Sequence, residues 1–206
     1  MLNNPADILS VVLRGAMGRS GRKRAKRATR FITGNGGFLT ASTVLAAAGV
    51  AWGIYDSMKG TNVPVAGTPP TTTVPPIPVI PSTPVDPMLQ MIRLAVSASR
   101  ADGELTAEER DAVIARAREA GLDAVVEAEL TTTRPLADIV RGITDPAARR
   151  EFYTLAFTIV RADEAVTGAE RIYLAQLAHQ LGLDPAAVAA IEAETSAKID
   201  AQPETE

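Results

Sequence analysis

Apolar positions follow two patterns along this chain. From Met88 onward they recur at spacings of three and four: Met91, Leu94, Ala95 and Ala98, then Val113 and Ala117, then Leu155 and Ile159, then Leu174, Leu177, Ala178 and Leu181. That is the period of an amphipathic α-helix, and no β-branched alternation competes with it. Earlier in the chain the apolar residues run together. Residues 31–55 carry no charge, and their densest part, 37–55, reads GFLTASTVLAAAGVAWGIY.

The helical half is punctuated by start signals. Thr106 with Glu109, and Thr167 with Glu170, have the spacing of capping boxes, a hydroxyl at the N-cap and a Glu at the third helical position. Asp145-Pro146 and Asp184-Pro185 place a cap residue before a proline at the first helical position. Asp123 caps a helix after Gly121-Leu122, and Pro135 opens a short one. These signals predict seven helices, over 88–101, 107–120, 124–132, 135–143, 146–162, 168–181 and 185–199. Residues 88–206 are thus expected to form an all-α domain, and 119 residues suffice for one core.

The uncharged run asks for a different solvent. Nineteen residues from 37 to 55 make a helix of about 28 Å, close to the hydrocarbon thickness of a bilayer. Trp52 and Tyr55 stand at one end, where amphipathic rings prefer the headgroup region. Two rival readings are a cleaved signal peptide and a buried soluble helix. Against the signal peptide stand a long basic N-terminal region and the lack of a small-x-small cleavage site after Tyr55. The segment's Ala and Gly content keeps the buried helix open. The division that follows is a basic segment at 1–30, a transmembrane region at 31–60, a linker at 61–87 and the helical domain at 88–206. The linker holds nine of the fourteen prolines, so it is expected to be an extended spacer of up to roughly 80 Å.

Charge sets the expected orientation. Residues 1–60 carry nine Lys and Arg against two acids, a net of +7; residues 88–206 carry twelve against 21, a net of -9. Seven of the cations lie between Arg19 and Arg30, so the N-terminus is expected in the cytoplasm of a bacterial cell. A single crossing of the inner membrane would then place the domain in the periplasm, with a cytoplasmic domain as the alternative. The acidic balance of the domain disfavours nucleic acid as a partner. Gly49 and Gly53 form a G-x-x-x-G inside the apolar run, which points to a homodimer through close helix packing.

The domain also repeats itself. Residues 94–123 align with 155–184 at an offset of 61 without a gap, and twelve of 30 positions are identical. They include Arg100/Arg161, Asp102/Asp163, Thr106/Thr167, Glu109/Glu170 and Arg110/Arg171, and Gly-Leu-Asp recurs at 121–123 and 182–184. The expected unit is an αα-hairpin used twice, with two short helices between. This paired R-A-D…T-x-x-E-R pattern resembles the tellurite-resistance TerB-like superfamily. The whole layout resembles its YebE-like inner-membrane branch. The resemblance implies an all-α TerB-like fold and an association with the envelope or with stress response. It also implies divalent-metal binding by acidic residues. In the second copy Glu164 and Ala165 replace Gly103 and Glu104, which departs from that pattern.

Asp102, Glu109, Asp163 and Glu170 are therefore the candidate ligands for a hard cation such as Ca2+, Mg2+ or Mn2+, which prefers carboxylate oxygens. The rival reading makes them turn residues, caps and partners of Arg110 and Arg171. Each Asp ends a helix, where the macrodipole disfavours an anion by about 0.3–1 kcal/mol. Neither Cys nor a second His accompanies His179, which excludes thiolate and paired-imidazole chemistry. No nucleophile elbow, phosphate loop or H-E-x-x-H occurs, so no enzyme is expected. The leading function is a membrane-tethered interaction or adaptor module with an unidentified protein partner. A divalent-cation sensor is the alternative and an envelope enzyme a distant third.

Overall fold

The computed structural model describes residues 22–34, 38, 87–103, 105–119, 123–162 and 166–202. All regular elements among these residues are helical: α1 (Arg22–Thr33), α2 (Pro87–Ala98), α3 (Ala107–Glu119), α4 (Asp123–Thr131), α5 (Leu136–Ile139), α6 (Pro146–Arg161), α7 (Gly168–Leu181) and α8 (Pro185–Asp200). Most of the uncharged run, the linker before Pro87 and the Gly49/Gly53 pair lie outside the described residues. Among the described residues no helix is long and apolar enough to cross a membrane.

Local chemistry explains the helix starts. Asp145 accepts from the backbone N–H of Ala148 at 2.8 Å and Asp184 from that of Ala187 at 2.8 Å, each with proline following. Thr167 closes its box in both directions: its hydroxyl accepts from the Glu170 N–H at 3.2 Å, and the Glu170 carboxylate accepts from the Thr167 N–H at 2.6 Å. Helix α7 ends at Gly182, whose φ of 65° is the left-handed conformation that glycine adopts without strain. The short α5 is held from outside. The buried Gln90 side chain donates to the carbonyls of Ile139 and Arg141, both at 2.9 Å, satisfying groups that the helix end leaves open.

The core is built around α6. Phe152, Tyr153, Leu155, Ala156, Phe157, Thr158, Ile159 and Val160 are all buried, so this helix is covered on nearly every side. Its covers are α1, α2, α7 and α8. The two polar groups in that run are satisfied: Thr158 donates to the Thr154 carbonyl at 2.7 Å, and the Tyr153 hydroxyl donates to Glu192 at 2.7 Å. All twelve positions of the three-and-four pattern are buried.

Helix α1 is the element the apolar pattern did not show. Ala28, Phe31 and Ile32 are spaced as one stripe and are 1%, 7% and 0% exposed, joined to the same core. The stripe packs on α6 and α8. The boundary drawn between residues 30 and 31 therefore falls inside a helix. Phe31 belongs to the domain's core, beside Phe38 at a ring-centroid distance of 6.2 Å.

The duplication extends to a third helix, because Asp123 and Asp184 each begin one after Gly-Leu. The two copies are packed differently. In the second, α7 and α8 both lie on α6; in the first, α3 packs on α4, and α4 lies on α2.

Candidate functional site

A cleft opens where the first copy faces α7 of the second. It encloses about 440 Å3 between α2, the end of α4, the loop 132–134, α5 and α7. Helix α2 brings Arg93, Ser97 and Arg100 to its wall, and α7 brings Ile172 and Tyr173. Ile172, at 61% exposure, is the large apolar residue most open to solvent among those described.

One carboxylate organises the cationic side. Glu129 is 7% exposed and accepts from Arg93 Nε at 2.9 Å. Arg134 grips the same carboxylate with two parallel contacts, Nε and Nη2, each at 3.1 Å. Burial alone would raise the pKa of Glu129; the hydrogen bonds from Arg134 and Arg93 outweigh it and hold the carboxyl below its ordinary value. Arg134 is held above its own by the same contact.

Arg100 stands differently. Its guanidinium makes one long contact, 3.5 Å to the Leu130 carbonyl, and among the described residues no carboxylate pairs with it. It lines both the cleft and an adjoining hollow of about 330 Å3 that also takes Arg110 and Thr133. Its repeat equivalent, Arg161, meets Asp200 at 3.3 Å. Across the cleft, the Tyr173 hydroxyl is buried with no hydrogen-bond partner. Burial pushes that phenol well above its ordinary pKa; Ser97 is near enough to offset this slightly without closing a bond. The cleft thus offers three guanidiniums against one carboxylate, an unused hydroxyl and an apolar rim. That suits a ligand carrying both an acidic group and apolar surface.

Of the four acids proposed from the repeat, Asp102 and Glu170 have described side chains, and neither lines this cleft. Asp102 is exposed in the turn after α2, next to Gly103 with φ 153°, and has no ion pair among the described residues. Glu170 is 5% exposed and committed to its capping box. Glu109 lies in α3, but its side chain, like the whole of Asp163, is outside the described residues. Among the described residues no group of three or more His, Asp or Glu is placed to hold a metal ion. Arg93, Glu129 and Arg134 were missed. Their signal is long-range, since Arg93 and Glu129 lie 36 residues apart. Arg100 carried one signal, its identity with Arg161 in the repeat, but the environments of the two differ.

A family described as "Protein of unknown function (DUF533)" matches residues 8–195. No curated protein and no solved structure matches the chain. The family match runs through the basic helix, the apolar run, the linker and all but the last turns of the helical domain, so the chain belongs to the DUF533 family.

Proposed function

We propose that the chain is a membrane-tethered, non-enzymatic docking module of the bacterial envelope, whose helical domain receives an acidic segment of a partner protein. Arg100 carries this reading, as a guanidinium at a cleft wall with no carboxylate of its own among the described residues. Around it the domain concentrates cations against its general balance, since residues 88–206 carry a net of -9. Ile172 at the rim supplies the apolar contact that a peptide makes and a bare inorganic anion does not. The apolar run at 37–55 supports the tether. The paired R-A-D motifs support kinship with the TerB-like superfamily, and with it an envelope or stress-response setting.

The test is fluorescence anisotropy of a labelled Glu-Leu-Glu-Leu peptide with the full chain in detergent. Saturable binding is expected, weakening with salt. A charge-assisted hydrogen bond contributes about 1.5–3 kcal/mol, so Arg100→Gln should weaken binding by at least about tenfold. Arg161→Gln should leave it unchanged. Binding that does not saturate, or that is the same in Arg100→Gln, overturns the reading.

A further inference from the structure

Helix α1 and the helical domain are in contact, and this constrains where the membrane can be. Ala28, Phe31 and Ile32 belong to the same core as α6 and α8. A segment crossing once between Thr33 and Pro87 would hold these surfaces apart by the hydrocarbon thickness, about 30 Å. Packing of this kind needs both on one side. The same holds if α1 docks on the domain of a second copy. We infer that α1 and the helical domain share the cytoplasmic face of the membrane, and that the chain between them completes no crossing.

The side follows from the cations. Seven Lys and Arg between Arg19 and Arg30 belong in the cytoplasm, and the domain goes with them. Charge favours the same contact, because α1, with six cations and no acid, meets a domain of net -9. The parity of crossings follows from the linker. Both ends on one face require zero crossings or two. The remaining long uncharged stretch, 60–85, holds eight prolines. Proline lacks an N–H and breaks a helix, while the bilayer core demands that backbone groups be bonded within the segment. That stretch therefore cannot supply a second crossing. On this inference the domain lies in the cytoplasm and not, as the charge pattern alone suggested, in the periplasm.

The sequence contains no cysteine, so a single introduced thiol reports on one site only. Lys26→Cys on α1 and Gln180→Cys on α7 both replace exposed residues. Each full-length variant is expressed in bacteria and treated with a membrane-impermeant maleimide, once in right-side-out spheroplasts and once in inverted vesicles. Both thiols are expected to be protected in spheroplasts and labelled in inverted vesicles. Labelling of Gln180→Cys from outside, or a chain that stays out of the membrane fraction, overturns the inference. A second measurement reports on the docking itself. Ile32→Ala should lower the unfolding midpoint of the full chain by at least about 4 °C. An unchanged midpoint removes the contact on which the placement stands.

Discussion

The two copies of the repeated unit have kept the same letters and taken on different work. In the second copy several polar groups are closed within the fold, with the Tyr173 hydroxyl as the exception. Arg161 meets Asp200 at 3.3 Å, Tyr153 donates to Glu192, and Thr167 and Glu170 satisfy each other. In the first copy Arg100, the counterpart of Arg161, faces a cleft with one long backbone contact. Its third helix, α4, ends in a carboxylate that serves two arginines from other elements. A duplicated unit needs only one of its copies to complete the core. The other can leave side chains uncommitted, and that is where binding chemistry collects.

The largest expected effect tests whether the second copy is the structural one. Leu94 and Leu155 occupy equivalent positions and are both 0% exposed. Leucine-to-alanine changes in cores cost about 2–5 kcal/mol, more where the surroundings cannot collapse. Leu155→Ala should fall at the upper end of that range, because α6 is walled by four helices, and Leu94→Ala lower. Denaturant unfolding of the two variants measures this, and the reverse order would break the division of labour.

Glu129 gives the next effect, in the first copy. Removing one partner of a buried ion pair costs about 3–5 kcal/mol, because charges are left without their counterpart. Glu129→Ala should lower stability by about 3 kcal/mol, at the lower end because both arginines keep some contact with water. The pH dependence has a definite sign. The folded state holds this carboxyl below the ordinary 4.5. Its contribution is therefore complete above that value and is lost as pH falls through the folded pKa. Acid titration of stability should show the gap between the wild type and Glu129→Gln closing as pH falls through the lowered folded pKa. A constant gap would mean that the pairing is not what holds the loop 132–134.

Smaller still is the capping difference. Thr167→Ala removes a closed box and should cost about 1 kcal/mol. The smallest effect expected is none: millimolar Ca2+, Mg2+ or Mn2+ should leave the unfolding midpoint unmoved. Glu170 is spent on its cap, and Asp102 is exposed with no ion pair among the described residues. A metal-dependent rise that vanishes in Asp102→Asn with Asp163→Asn would return the R-A-D acids to a ligand role and make the copies functionally alike.

Much of the domain could be read from its letters because the information was local. Asp145, Thr167 and Asp184 act within three residues of themselves, and each helix starts where they place it. The three-and-four pattern found the core because each helix buries a stripe. Helix α1 escaped because its stripe is only Ala28, Phe31 and Ile32 among six cations, and the uncharged run beginning at Phe31 absorbed its last turn. The cleft escaped for a different reason. The contrast between Arg100 and Arg161 depends on Asp200, which lies outside the aligned repeat, and the Glu129 cluster depends on residues that only folding brings together.

The Gln90 clamp has a consequence for motion. Four residues of helix cannot persist by themselves, since nucleation costs more than so few hydrogen bonds return. Helix α5, which carries Leu136 and Ile139 at the base of the cleft, is held by an amide from α2. The base of the cleft and one of its walls are then a single cooperative unit, which opens together or not at all. In hydrogen exchange, the Val140 amide, bonded to the Leu136 carbonyl, should slow and quicken in step with the centre of α2. A ligand in the cleft would be sensed along α2 as a loss of exchange, well before any change of shape.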